Sequence, residues 1–154
     1  MGMRVRIAVF LSTLCVLAAA VGARAEQALL EPDEAFRISA RLVSEDLLEV
    51  SYRIADGYYL YKDRFSFKVE NNRVRLGPVE FPEAEWHSDE FFGRSEIYRR
   101  QVTIRIPLET PPGRLGFKLV AVSQGCADVG VCYLPATHRV QLAAAGRPLE
   151  LPQQ

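Results

Sequence analysis

The chain has 154 residues, with 19 basic and 19 acidic side chains and a formal net charge of zero. Residues 1–25 combine a basic start, an apolar run and a small-residue cleavage site, a pattern that predicts a cleaved secretory signal peptide. This segment contains three of the basic residues, so residues 26–154 have 16 basic and 19 acidic side chains and a charge of −3. Such a balance gives no electrostatic case for binding nucleic acid. No further apolar stretch approaches the roughly 20 residues of a membrane span, so we expect no transmembrane segment in the mature chain.

Alternation of apolar and polar side chains predicts strands along most of the mature chain. The alternating segments are residues 36–41, 48–54, 65–69, 102–106, 115–121 and 138–142. Glycine-, asparagine- and proline-containing turn signals separate several of them, and no window of a dozen residues shows a helical stripe. Short strands with frequent turns, in one domain of this size, favour an antiparallel β-sandwich of immunoglobulin-like type.

The mature chain retains two cysteines, because Cys15 lies in the predicted signal peptide. Cys126 and Cys132 are six positions apart, which excludes the bridge between sheets that antibody domains have. A disulfide that closes so short a loop would stabilise the fold by roughly 2 kcal/mol. The domain is large enough to bury its own core without it. The spacing therefore leaves an inert structural bridge and a redox-active pair as open alternatives.

Other kinds of site have weaker support in the sequence. Cys126, Cys132 and His138 are candidate ligands for a soft metal, but tetrahedral zinc usually takes four ligands and His87 is the remaining histidine. We therefore expect no metal site. The sequence has no glycine-rich phosphate loop, nucleophilic serine motif or carboxylate pair for hydrolysis. The residues leave three hypotheses: a redox module, a non-catalytic secreted binding sandwich with a structural disulfide, and a metal-handling protein.

Three segments together resemble the N-terminal periplasmic domain of the thiol:disulfide interchange protein DsbD. They are DGYYLY at 56–61, WHSDEFFGRSEIYR at 86–99 and QGCADVGVCY at 124–133, and the resemblance covers most of residues 28–143. It implies an immunoglobulin-like fold, in agreement with the strand pattern. It also implies a periplasmic domain that relays reducing equivalents through its cysteine pair, without a cofactor. The implied donor is thioredoxin-like, and the implied acceptors are exported thiol–disulfide proteins of disulfide isomerisation and cytochrome c maturation.

The resemblance also implies a role for individual residues. Cys132 matches the cysteine that forms mixed disulfides with partners, and Cys126 matches the one that resolves them. Two tyrosines match residues that line the active site, and five residues match a cap loop that covers the cysteines. These matching residues are Tyr59, Tyr61, Asp89, Glu90, Phe91, Phe92 and Gly93.

Physical expectations follow for the five residues of the cap loop. The Phe91 ring over the sulfurs would exclude small oxidants and thiols, and Gly93 would help the loop to open. Phe92 stands where the family often has tyrosine, so a hydroxyl is missing there. Carboxylates at Asp89 and Glu90, if they lie near the thiols, would raise the thiol pKa and restrain the nucleophile. On the residues alone, ordinary packing remains an open alternative for the aromatic side chains.

In the family, this domain usually precedes a membrane electron-transfer domain and a C-terminal thioredoxin-like domain. This chain ends at Gln154, soon after its last predicted strand. The sequence leaves a stand-alone version and a truncated member of the family as open alternatives. In both cases we expect residues 26–154 to form one interchange domain whose electron donor is a separate chain.

Overall fold

A computed structural model describes residues 28–70, 73–112 and 116–143. The predicted signal peptide, residues 1–25, lies outside the described residues. Within them the helical segments are short: α1 spans Pro32–Ala35 and a 3-10 helix spans Lys62–Arg64. No helix in the described part of the chain is long and apolar enough to cross a membrane.

Strands make up most of the described residues. They are β1 (Phe36–Ser44), β2 (Leu47–Ile54), β3 (Tyr58–Tyr61), β4 (Ser66–Val69), β5 (Glu85–Asp89), β6 (Gly93–Tyr98), β7 (Gln101–Pro107), β8 (Phe117–Ser123), β9 (Gly125–Ala127), β10 (Val131–Cys132) and β11 (Ala136–Leu142). Their order in the sheets is β1-β2-β7, β11-β8-β4 and β10-β9-β3-β6-β5. The pairings between these strands are antiparallel.

One buried core joins the three sheets. Alternate residues of β2, β7 and β8 point into it, because successive side chains of a strand lie on opposite faces. Leu60 and Tyr98 bring the five-stranded sheet into the same cluster. Burial of each large apolar side chain contributes about 1.5–3 kcal/mol, so this shared core holds the sheets together as a sandwich. The predicted antiparallel β-sandwich is confirmed.

The six alternating segments of the sequence correspond to β1, β2, β4, β7, β8 and β11. Leu115, predicted to begin the fifth of them, lies outside the described residues. The sequence pattern did not delimit β5, β6, β9 and β10, which are short or partly exposed on both faces. These four strands, together with β3, make the five-stranded sheet that carries both cysteines.

Candidate redox active site

Three side chains form a row across the five-stranded sheet. Tyr59 on β3 lies opposite Cys126 on β9, and Cys126 lies opposite Cys132 on β10. Residues directly opposite one another share a face of the sheet, and Tyr61, two positions along β3, lies on that face too. Tyr59, Tyr61, Ile97 and Cys126 form a small buried cluster apart from the main core, and Cys132 packs against it.

The two cysteines form a disulfide between neighbouring strands, with Cα atoms 4.0 Å apart. The Tyr133 N–H donates to the Gly125 carbonyl at 3.0 Å, on the side of the cysteine pair that is away from the turn. This bond makes the cysteines a non-hydrogen-bonded pair of the ladder, the position where opposite side chains lie closest. Gly130, with φ of 84°, ends the tight turn between the strands. Backbone pairing therefore places the sulfurs together independently of the bond between them.

Gly125 allows β9 to approach β3 closely enough to build this row. A Cβ at this position would collide with the Tyr59 carbonyl and would lie 2.7 Å from the Phe36 ring and 2.9 Å from the Leu60 side chain. A glycine is thus required on steric grounds immediately before Cys126.

The two cysteine residues differ in their access to solvent. Cys126 is fully buried, with 0% of its surface exposed, and lies on an inner strand of the sheet. Cys132 is half-buried and lies on β10, the last strand of the sheet. A sulfur atom that approaches from outside therefore reaches Cys132 before Cys126.

Asp89 and the two tyrosines form a hydrogen-bond network against the disulfide. The Tyr61 hydroxyl donates to Asp89 Oδ2 at 2.6 Å, and the Tyr59 hydroxyl donates to the same oxygen at 3.0 Å. The Tyr61 oxygen lies 3.2 Å from the Cys126 sulfur and 3.9 Å from the Cys132 sulfur. Because its single proton is directed to Asp89, the Tyr61 oxygen faces the sulfurs as an acceptor. In the reduced protein it can accept a hydrogen bond from the Cys126 thiol.

The same carboxylate organises the cap loop. Its second oxygen, Oδ1, accepts hydrogen bonds from the Phe91 and Phe92 N–H groups, each at 2.9 Å. Burial raises the pKa of the Asp89 carboxyl, but the hydrogen bonds from Tyr61, Phe92, Tyr59 and Phe91 outweigh it, so the pKa lies below its ordinary value. Burial and the bond to Asp89 raise the pKa of Tyr61, which therefore stays protonated. A carboxylate that is charged at neutral pH thus connects the cap to the residues beside the sulfurs.

The cap loop is the turn of the β5–β6 hairpin, in which Asp89 pairs with Gly93. Gly93 has φ of 67°, a left-handed conformation that glycine adopts without strain. The Phe92 ring packs edge-on against Tyr61 with centroids 4.8 Å apart. Glu90 reaches the turn between the cysteines, since its Oε1 lies 3.9 Å from where a Cβ on Gly130 would be. The loop therefore contacts Tyr61 and comes close to the cysteine hairpin.

The structure thus brings together the residues that the sequence singled out, through different kinds of contact. Tyr61 lies beside the sulfurs, Asp89 is joined to them through Tyr61, and Phe92 packs against Tyr61. The Phe91 ring is 42% exposed, and its backbone is held by Asp89. Its position over the sulfurs stays a prediction.

Arg99 and His87 lie at this site but were not predicted as part of it. The Tyr59 ring packs against both of these side chains: the Arg99 guanidinium lies 5.0 Å from its centroid, and the His87 ring lies 4.7 Å from it. Arg99 also makes two hydrogen bonds, of 2.9 and 3.0 Å, to Asp128 in the turn between the cysteines. Arg99 and His87 both lie in the segments that carry the resemblance, but only the three-dimensional structure shows that they contact Tyr59.

The candidate metal ligands of the sequence can be located in the fold. Within residues 28–70, 73–112 and 116–143, no group of three or more histidine, cysteine, aspartate or glutamate side chains is placed to hold a metal ion. His138 lies on β11, with its Nδ1 4.0 Å from an oxygen of Asp33.

Known proteins match this chain in sequence and in structure. The family model for the N-terminal domain of the thiol:disulfide interchange protein DsbD matches residues 26–144. Thiol:disulfide interchange protein DsbD 1 of Pseudomonas aeruginosa is 42% identical over 113 residues, which are 73% of this chain and 19% of that protein. The chain spans about a fifth of the length of the curated relatives it matches.

Two solved structures from Neisseria meningitidis share the fold. The reduced DsbD N-terminal domain is 37% identical, with a TM-score of 0.69 over 77% of this chain and 92% of that one. A complex between the DsbD and PilB N-terminal domains gives 36% identity and a TM-score of 0.63, over 74% of this chain and 87% of that one. These matches confirm the immunoglobulin-like fold that the resemblance implied. With the family model extending over most of its length, the chain belongs to the family of N-terminal domains of the thiol:disulfide interchange protein DsbD.

Proposed function

We propose that this domain carries reducing equivalents in the periplasm, from a thioredoxin-like donor to exported thiol–disulfide proteins, through Cys126 and Cys132. The observation that carries this proposal is the asymmetric disulfide, with one sulfur buried and the other on an edge strand. Family membership supports it, as does the Neisseria complex in which a related domain binds the PilB N-terminal domain.

The order of the steps by which the domain is reduced follows from this asymmetry between the two cysteines. A donor thiolate attacks the Cys132 sulfur, the bond to Cys126 breaks, and Cys126 leaves as a thiolate that takes up a proton. The second thiolate of the donor then attacks the donor sulfur in the mixed disulfide and releases Cys132. Two electrons have moved from the donor dithiol to the domain, and the donor is left with a disulfide.

Delivery to an acceptor runs through the same steps in the other direction. The Cys132 thiolate attacks the acceptor disulfide and forms a mixed disulfide, releasing one acceptor thiolate. Cys126, after losing its proton, attacks the Cys132 sulfur and restores the internal disulfide. The second acceptor thiolate leaves, so the acceptor has gained two electrons. These steps use the cysteine pair alone, without a metal, flavin or nicotinamide.

The residues around the pair would restrain it between encounters. The Tyr61 oxygen, 3.2 Å from the Cys126 sulfur, stabilises the protonated thiol by accepting its hydrogen bond. The charge of Asp89, joined to that oxygen, opposes formation of a thiolate. We propose that the loop with Glu90, Phe91, Phe92 and Gly93 shields the cysteines and opens when a partner docks.

Export is part of the proposal. We propose that residues 1–25 direct secretion and are removed, which leaves residues 26–154 as the interchange domain in the periplasm. The start of the family match at residue 26 supports this boundary.

Trapping of mixed disulfides tests the function directly. Cells that export the Cys126→Ser variant should accumulate partners covalently bound to Cys132, because the resolving thiol is missing. Cys132→Ser is the matched control and should trap none. The exported wild-type domain should also equilibrate with a purified thioredoxin-like protein. A disulfide that resists this reductant, and a Cys126→Ser variant without bound partners, would favour a binding sandwich with a structural bridge.

A further inference from the structure

The outer face of the sheet β1-β2-β7 consists of polar rows that cross its three strands. The side chains that alternate with the buried ones lie on this face. Strand register places them in three rows, each with one residue from β1, one from β2 and one from β7. The rows are Arg41-Glu49-Arg105, Ser39-Ser51-Thr103 and Arg37-Arg53-Gln101. Four arginines against one glutamate make this face positively charged.

The two outer rows differ in how their arginines are paired. In one row Glu49 lies between two arginines: Arg41 donates to its Oε2 at 2.7 Å, and the Arg105 Nε lies 3.8 Å from its Oε1. In the other row Arg53 occupies the middle position and lies directly opposite Arg37. Opposite residues on one face have Cβ atoms about 4.5–5.5 Å apart, and like charges there destabilise a sheet. This row therefore has two adjacent positive charges where the first has a carboxylate between them.

The described part of the chain supplies no counterion to the Arg37–Arg53 row. Neither arginine forms an ion pair or a side-chain hydrogen bond with any other residue that the structure describes, and both are exposed. A cleft of about 270 Å³ opens at this row, and Ser39 and Gln101 also line it. The cleft thus combines two guanidinium groups with a hydroxyl and an amide that can donate further hydrogen bonds.

We propose that the Arg37–Arg53 row binds a phosphate group, which takes the place that Glu49 has in the other row. A guanidinium donates two parallel hydrogen bonds to a phosphate and stays charged at neutral pH. A phosphate group has more oxygens than a carboxylate, so it can accept from both guanidinium groups and from Ser39 or Gln101. Its negative charge also offsets the repulsion between the arginines. Free phosphate and the headgroups of phospholipids offer this same chemistry.

Titration with inorganic phosphate tests the site in solution. Amide NMR spectra of the isotope-labelled exported protein, recorded at constant ionic strength in chloride, should show saturable shifts at Arg37, Ser39 and Arg53. We expect half-saturation on the order of 1 mM, because the few charge-assisted hydrogen bonds form at an exposed site. Arg53→Gln removes one of the two guanidinium groups and should weaken binding about tenfold.

Arg41→Gln is the matched control, because it removes an arginine of the same face that is already paired with Glu49. Arg41 lies four positions from Arg37 on β1, or about 13 Å along the strand. That distance exceeds the screening length of about 8 Å at physiological ionic strength, so Arg41→Gln should change the affinity by less than about twofold.

Arg53→Glu gives a second readout that does not depend on added phosphate. It restores a carboxylate to the middle of the row, so it should abolish phosphate binding and raise the urea concentration of half-unfolding in phosphate-free buffer. A variant less stable than the wild type there would contradict the repulsion from which the site is inferred.

Vesicles distinguish the two sources of the phosphate group. Wild-type protein that sediments with phosphatidylcholine vesicles only when phosphatidylglycerol is added, and Arg53→Gln protein that does not, would identify the lipid headgroup as the ligand. Phosphate binding without sedimentation would identify free phosphate. The site is overturned if the wild-type spectra do not saturate with phosphate and the protein does not sediment, or if Arg53→Gln binds as tightly as the wild type.

Discussion

Replacement of Asp89 by asparagine tests the electrostatics of the site. The Asp89→Asn change keeps the size of the side chain and an oxygen that can accept hydrogen bonds, but it removes the negative charge. The carboxyl is charged at neutral pH because its pKa lies below the ordinary value. We expect Asp89→Asn to lower the pKa of the cysteine thiols in the reduced protein.

The size of the effect follows from the hydrogen-bonded path. Asp89 Oδ2 lies 2.6 Å from the Tyr61 oxygen, which lies 3.2 Å from the Cys126 sulfur, so the carboxylate is within about 6 Å of the thiol. Two unit charges at that distance interact by roughly 3 kcal/mol at an effective dielectric constant near 20. Solvent close to the half-buried Cys132 screens the two charges and lowers this interaction energy. Since one pKa unit corresponds to about 1.4 kcal/mol, the expected fall is about 1–2 units.

The ultraviolet absorbance of the thiolate, followed against pH in Cys126→Ser and Cys132→Ser backgrounds, measures each thiol separately. Asp63→Asn is a suitable control, because the Asp63 side chain is 68% exposed and lies in the 3-10 helix after β3. Its effect should be much smaller than that of Asp89→Asn. Thiol pKa values that are unchanged, or raised, by Asp89→Asn would refute the restraining role of the carboxylate.

The remaining predictions concern stability. Gly125→Ala should lower the free energy of unfolding in urea by at least about 2 kcal/mol, because its Cβ collides with the β3 backbone. At Gly93 an added Cβ would meet open space, but φ is 67°, so Gly93→Ala should lower the free energy of unfolding by about 1 kcal/mol. Equal losses of stability in Gly125→Ala and Gly93→Ala would contradict the steric argument. Since the pKa of Asp89 is lowered, its stabilising contribution is present above the ordinary aspartate pKa, near 4, and is lost as the pH falls through the folded value. The stability difference between wild type and Asp89→Asn should therefore shrink in acid, as urea titrations at several pH values would show, and a difference that persists there would exclude this linkage. Reduction of the disulfide should lower the free energy of unfolding by roughly 2 kcal/mol while the strand signal in circular dichroism is kept, and loss of that signal would contradict independent backbone pairing.

Much of the sandwich is predictable from the sequence because its strands have one buried and one exposed face. In β2 and β7 this produces strict alternation, which the pattern of residues 48–54 and 102–106 reveals. The β5–β6 hairpin lacks that signal, since much of it is exposed and its Trp86 points to solvent. β9 and β10 are too short for any periodicity to appear.

The site was predictable in part. The resemblance identified Cys126 and Cys132 as a redox pair, whereas their spacing alone favoured a structural bridge. The row from Tyr59 to Cys132 depends on the pairing of β9 with both β3 and β10, and no local pattern fixes such a register. For the same reason, the position of Arg99 beside Tyr59 and Asp128 could not be predicted, because those residues come from different strands and turns.

The backbone pairing that places the two sulfurs together also bears on whether the domain changes shape between its redox states. The Gly125–Tyr133 hydrogen bond and the Arg99–Asp128 pair fix the hairpin without involving the sulfur atoms. We therefore expect the backbone to be nearly the same in the oxidised and reduced forms. Under the proposed function, donors and acceptors would then meet nearly the same surface of the domain and would compete for one binding site. The direction of electron flow would be set by the relative potentials and abundance of those proteins, rather than by a change of shape in the carrier.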